Sequence, residues 1–142
     1  MEINGFKALY AYSRKEALLD GEQYRADPEV TKELGIQFPV FLTRAVYKRY
    51  VQAPIGSEDQ FPEGDRLRLL CNQFVLKWMR VDSGVVFIKL TVIVGMEHSL
   101  EPNERWHEST REIRIARLDC AMGVMDLDNP APAITIYIPG EE

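Results

Sequence analysis

The sequence has little cysteine. Its two cysteines, Cys71 and Cys120, form no CxxC pair, which argues against a disulfide framework and against a zinc site built on thiolates. Cys71 falls on the apolar stripe of a predicted helix and Cys120 near the end of a predicted strand. Both are therefore predicted to be small buried thiols in a reducing compartment. A disulfide between them stays open, because a sequence does not fix the distance between two Cα atoms.

Long apolar runs are also missing. The longest strongly apolar stretch, residues 85–95, carries Lys89 and is far shorter than the ~18–20 residues that a membrane-spanning helix needs. The first residues, Met-Glu-Ile-Asn-Gly-Phe, lack the basic region and apolar core of a secretory signal. We therefore expect a cytoplasmic protein with no membrane contact.

Recognisable catalytic motifs are absent too. The sequence has no GxSxG nucleophile elbow and no GxGxxG or GxxxxGK[ST] phosphate loop. Its two histidines, His98 and His107, stand nine positions apart in an acidic loop, without the spacing of a metal site. We expect no metal and no cofactor, and the missing motifs favour a protein that is not an enzyme.

The charge that is present is unevenly distributed. Residues 1–52 hold 8 basic and 7 acidic side chains, a net charge of +1, whereas residues 53–142 hold 9 and 15, a net charge of −6. Proteins that coat DNA or RNA are normally basic, so nucleic acid is not an expected partner. An acidic surface can instead oppose a basic surface on a partner protein. The predicted partner-binding residues are Glu58, Asp59, Glu101, Glu104 and Glu108.

Length and periodicity predict one α+β domain over the 142 residues. Apolar residues at helical spacing predict a long amphipathic helix over 65–80, with Arg66 on its solvent side. Residues 85–94, 111–120 and 133–138 are predicted strands. Short helices are predicted after Ser13, Asp27 and Thr43, each a good N-cap residue. Helices precede strands, so we expect the long helix to cover a three- to four-stranded antiparallel sheet.

Tyrosine and arginine concentrate in the first third of the chain. Side chains of these two types can stack on a base and neutralise a phosphate. They can equally be tyrosines half-buried against the sheet beside a solvated basic face. The ligand site that the first of these interpretations predicts consists of Tyr12, Arg14, Arg44 and Tyr47.

Two groups of residues form a recognisable pattern. The first group is Tyr12-Ser13-Arg14, Ala17 and Asp20-Gly21, and the second is Pro39-Val40, Leu42-Thr43 and Ala45-Val46. Together they resemble a family of small uncharacterised proteins encoded by bacterial plasmids and phages. The strand-like end of the chain and Leu118-Asp119-Cys120 also fit the family. Tyr47 stands where the family has tryptophan, and Ala-Met-Gly-Val follows Cys120 in place of Gly-Pro-Gly-Asp.

The resemblance implies an origin and no mechanism. Together with the missing catalytic motifs and the acidic body, it leads us to expect a non-catalytic accessory protein of a phage or plasmid. Such a protein would bind a host protein, as an anti-defence inhibitor does. The alternative is a small-molecule or nucleotide-binding protein, with or without weak enzymatic activity, that uses the tyrosine and arginine side chains. Homo-oligomerisation stays open.

Overall fold

A computed structural model of the chain describes residues 13–52, 62–78, 85–92, 100–107 and 110–140. The helices are α1 (Arg14–Leu19), α2 (Pro28–Glu33), α3 (Arg44–Val46), which continues into a π-helical turn (Tyr47–Val51), and α4 (Glu63–Trp78). The strands are β1 (Gln23–Arg25), β2 (Val40–Thr43), β3 (Val85–Val92), β4 (Glu104–His107), β5 (Thr110–Asp126) and β6 (Asn129–Tyr137). The α+β class is confirmed.

The six strands form one mixed sheet in the order β1-β2-β6-β5-β3, with β4 also paired to β5. Most pairs are antiparallel, but β2 runs parallel to β6, with Val40 opposite Ile134 and Leu42 opposite Ile136. The prediction of an antiparallel sheet of three to four strands is therefore only partly right. It lacked β1, β2 and β4, which are too short to show a clear period in the sequence.

The short helices begin where their caps predicted. The Ser13 side chain accepts a hydrogen bond from the Glu16 N–H, and Glu16 bonds back to Ser13, which completes a capping box. Asp27 accepts from the Glu29 N–H, ahead of Pro28 at the first position of α2. Thr43 accepts from the Val46 N–H at 3.4 Å and starts α3.

Helix α4 covers one face of the sheet. Its apolar side packs into one buried cluster with the inward side chains of β2, β5 and β6, and that cluster includes Leu70, Cys71, Phe74, Val40, Leu42, Leu118, Cys120, Ile134 and Ile136. Arg66, expected in solvent, is buried instead. The reason is that α2 and the π-helical turn flank α4, so more than one stripe of the helix is covered. None of the described helices is long and apolar enough to cross a membrane.

The opposite face of the sheet has a smaller cover of its own. Phe41 and Ala133 on that face are buried, as is Ala17 of α1. The guanidinium carbon of Arg14 lies 4.1 Å from the centre of the Phe41 ring, a cation–π distance. Arg14, at the start of α1, thus covers part of the face opposite α4.

Strands β5 and β6 form a hairpin that is longer than predicted. Pairing continues past the predicted limits, from Asp119 opposite Tyr137 to Asp126 opposite Asn129. The apolar positions of the sequence change phase near residues 116–117, but the register of β5 with β3 is continuous there. The irregularity lies between Val124 and Asp126, close to the turn. Side chains of β6 before Ala133 are exposed, so the hairpin end lies outside the buried cluster.

Candidate functional site

Exposed apolar side chains gather where α1 meets the end of the β5–β6 hairpin. Leu19 is 78% exposed and Leu127 59%, and half of Val124 is also exposed. Leu19 and Met125 line one open cleft of about 360 Å³. We call the area around this cleft the hairpin-tip surface, made of Leu18, Leu19, Met125 and Leu127, the last of which follows the cleft residue Asp126 in the chain. Apolar side chains grouped at one place are typical of a contact site, whereas single exposed leucines are common anywhere.

Arg14 and Asp126 hold the hairpin-tip surface in shape. The Asp126 carboxylate accepts hydrogen bonds from the main-chain N–H groups of Arg14 and Lys15, each at 3.0 Å, and from that of Leu127 at 2.8 Å. Hydrogen bonds from these N–H groups, that of Leu127 foremost, keep the pKa of Asp126 below its usual value. The carboxylate therefore fixes the first turn of α1 on the hairpin turn.

The Arg14 side chain completes that connection. Its Nε donates to the Met125 carbonyl at 2.6 Å and one terminal nitrogen to the Val124 carbonyl at 3.1 Å. The other terminal nitrogen donates to the side chains of Gln23 and Thr135. Burial lowers the pKa of Arg14, and the nearby Asp126 partly offsets this effect. With four donor contacts inside the fold, Arg14 serves as a structural clamp and has little left to offer a phosphate.

A proline on the outer edge of the hairpin, Pro132, leaves that edge without one backbone hydrogen-bond donor. The Ile134 N–H donates to the Pro39 carbonyl, so it points toward β2 and away from β5. Pro132 precedes Ile134 by two positions, so its nitrogen occupies the same outward-pointing position. A proline there removes the N–H that an added strand would need. The hairpin tip is thus suited to side-chain contacts more than to strand addition.

A second cluster surrounds two stacked tyrosines. The rings of Tyr24 and Tyr47 lie 4.1 Å apart between centroids and within 16° of parallel. The Tyr47 hydroxyl donates to Glu63 at 2.9 Å. Burial, helped by this hydrogen bond, raises the pKa of Tyr47 to about 12. The Lys48 ammonium lies 5.8 Å from the Tyr47 centroid and 6.0 Å from that of Tyr24.

The structure therefore separates the residues of the predicted ligand site. Tyr47 stacks on Tyr24, Arg44 approaches Glu22 at 3.7 Å, and Arg14 is engaged with the hairpin. Tyr12 lies outside the described residues. Arg14 and Arg44 contact different groups, because Arg14 faces the Phe41 side of the sheet and Arg44 stands in solvent at the end of β2.

The predicted acidic partner surface is also changed by the structure. Glu104 is buried, and its two carboxylate oxygens accept from Arg49 and from the Tyr50 hydroxyl. The Glu101 N–H donates to the same carboxylate at 3.3 Å. The expectation that Glu104 faces a partner therefore does not hold, because Arg49 and Tyr50 on the π-helical turn draw it inward. Glu101 does lie at the surface, and Glu58, Asp59 and Glu108 fall outside the described residues.

Both thiols lie in the core, as predicted, and neither forms a disulfide. Burial raises the pKa of Cys71 to about 12 and also raises that of Cys120. A buried thiol of high pKa is a poor nucleophile and a poor metal ligand. In the described parts of the chain, no three His, Cys, Asp or Glu side chains come together as a metal site would require.

Comparisons with protein-family models, curated protein sequences and solved structures found no match to the chain. The resemblance to plasmid and phage proteins therefore stays a prediction.

Two features of these sites were missed by sequence reasoning. Leu127 follows no period, so nothing in the sequence distinguishes it from a core residue. Tyr24 and Tyr47 belong to different elements that only the fold brings together. A usable signal was present in Leu18-Leu19 beside Asp20-Gly21, since a helix as short as α1 cannot bury two consecutive leucines.

Proposed function

We propose that the protein is a non-catalytic accessory protein that binds a host protein through the hairpin-tip surface. The observation that carries this proposal is the exposure of Leu19 and Leu127 at the cleft that Leu18, Leu19, Met125 and Asp126 line. Burying such side chains against a partner contributes about 25 cal/mol for each Å² removed from water. Interface centres are built from apolar groups of this kind.

The hairpin-tip surface is held in one conformation by hydrogen bonds, and this supports a binding role. The hydrogen bonds of Arg14 and Asp126 fix α1 on the hairpin before any partner arrives. A surface that is already ordered loses less conformational entropy on binding. The Arg14 clamp is thus explained if the hairpin-tip surface has to keep one shape.

Charge around the hairpin-tip surface favours one class of partner. Glu16, Asp20 and Asp128 are exposed near it, against the single exposed cation Lys15 in the same turn of α1. We therefore propose a partner with an apolar contact area that is bordered by basic side chains. A protein that handles nucleic acid has such borders, and an inhibitor of a host defence protein would fit this description. The anti-defence role and the phage or plasmid origin rest on the sequence resemblance.

The test is capture of a partner from host lysate by the tagged full-length chain. We expect a stoichiometric protein to bind the wild type and to be lost with the double variant Leu19→Ser, Leu127→Ser. The matched control is Leu76→Ser, because Leu76 is also 55% exposed but lies on α4. The control should retain the partner, and all variants should melt within a few degrees of the wild type.

Two results would contradict the proposal. One is the absence of a stoichiometric partner at both low and moderate salt. The other is a partner that binds Leu19→Ser, Leu127→Ser as well as it binds the control. A confirmed partner should then be purified, and its dissociation constant should rise with salt if the acidic border takes part.

A further inference from the structure

The stacked tyrosines form a rigid aromatic platform at the edge of the molecule. Tyr24 belongs to β1, the terminal strand of the described sheet, and Tyr47 to the π-helical turn. The parallel rings are fixed from two elements, and Tyr47 is also tied to Glu63 at the start of α4. Both side chains stay partly exposed. A fixed, partly exposed aromatic pair can accept a further planar ring at small entropic cost.

Lys48 lies beside this platform, and Arg44 precedes Tyr47 by three positions in the same helical segment, so both cations can reach a ligand there. The Lys48 ammonium lies within 6.0 Å of both ring centroids. Arg44 approaches Glu22 at 3.7 Å, with more than half of each side chain exposed. An exposed pair of that kind contributes at most about 1 kcal/mol, so it can open for a stronger acceptor such as a phosphate.

The carboxylates near the platform narrow the choice of ligand. Glu22 and Glu63 reduce the positive potential around Lys48 and Arg44, so a bare phosphate would gain little there. A ligand that also stacks has a second source of affinity. Base–aromatic stacking contributes about 1–3 kcal/mol per base. The arrangement therefore suits a planar ring that carries an anionic group.

We propose that Tyr24 and Tyr47, with Lys48 and Arg44, bind a nucleotide, the base stacking on the tyrosine pair and the phosphate contacting the two cations. The site is separate from the hairpin-tip surface and does not depend on it. It differs from the site predicted from the sequence in containing Tyr24 and Lys48 and in lacking Arg14 and also Tyr12, which lies outside the described residues. The net charge of −5 favours a free nucleotide over a long nucleic-acid strand.

The experiment is a calorimetric titration of the full-length protein with adenosine monophosphate, with a short single-stranded oligothymidylate and with inorganic phosphate. We expect adenosine monophosphate to bind, inorganic phosphate not to bind, and the oligonucleotide to bind no more tightly per base. Tyr24→Leu should weaken binding by ~5- to 150-fold, the equivalent of one stacked base. Tyr24→Phe keeps the ring and should retain the affinity.

A second pair of variants tests the cations. Lys48→Gln should weaken binding and reduce its dependence on salt, whereas Lys32→Gln, which changes an exposed lysine of α2, should do neither. No binding of adenosine monophosphate at millimolar concentration would overturn the proposal. So would equal binding of inorganic phosphate, or an unchanged affinity in a folded Tyr24→Leu. A much tighter oligonucleotide would overturn the assignment to a free nucleotide.

Discussion

Glu104 and Arg49 show how a buried charge is held in this protein. Burial alone would raise the pKa of Glu104, but hydrogen bonds from Arg49, Tyr50 and the Glu101 N–H outweigh that effect and lower it. The carboxylate therefore stays ionised near neutral pH. Its contacts connect β4 to the π-helical turn.

Glu104→Gln should destabilise the protein by about 3 kcal/mol, because the substitution leaves the Arg49 guanidinium partly buried beside a neutral group. Urea denaturation measures the change. The control is Glu101→Gln, since Glu101 is half exposed and 3.9 Å from Arg49; its loss should cost less than about 1 kcal/mol. Equal effects of the two substitutions would contradict the buried pairing.

The lowered pKa of Glu104 also fixes the direction of its pH dependence. A carboxyl whose pKa is lower in the folded state stabilises the fold above its ordinary pKa of 4.5, and this contribution is lost as the pH falls through the folded value. The free energy of unfolding should therefore fall between neutral and acid pH in the wild type. In Glu104→Gln the same acid titration should give a smaller fall.

At the scale of elements, helix α4 has the clearest role and the clearest test. Phe74 is buried on the α4 face that covers the sheet, so Phe74→Ala should lower the free energy of unfolding by ~3–5 kcal/mol. Leu76, two positions away and exposed, provides the control, and Leu76→Ala should change stability by less than about 0.5 kcal/mol. Thermal and urea denaturation measure both changes. Equal effects of the two substitutions would contradict the assignment of Phe74 to the covered face of α4.

Elements with a strong local pattern could be predicted, and elements fixed by distant contacts could not. The capped starts of α1, α2 and α3 and the periodic face of α4 are written in neighbouring residues. The parallel pairing of β2 with β6 depends on chain segments far apart in sequence, so no local signal exists for it. The same reason explains Glu104, whose burial depends on Arg49 and Tyr50 from another element.

At the scale of the whole molecule, net charge was a poor guide to the candidate sites. The acidic balance of residues 53–142 pointed to Glu104 as surface, but that carboxylate is neutralised internally. Arg14, counted among the free cations of the first third, is used to hold the hairpin. Charges that count equally in a sequence therefore differ in whether they can contact a ligand or partner, because the fold pairs some of them internally. The two proposed sites therefore consist of exposed or partly exposed side chains.

The two thiols offer a test of how the whole core opens. Cys71 lies on α4 and Cys120 on β5, both buried where the helix meets the sheet. We expect a thiol reagent to modify both in denaturant, and to modify them in the native protein at least ~10⁴-fold more slowly, as a free energy of unfolding of about 5–15 kcal/mol implies. Because both thiols share one cluster, their modification rates in increasing urea should follow global unfolding together.

In the single-thiol variant Cys71→Ala, the modification rate of Cys120 should keep the same dependence on urea. Fast native modification of one thiol would contradict this expectation, since it would require the interface between α4 and the sheet to open locally.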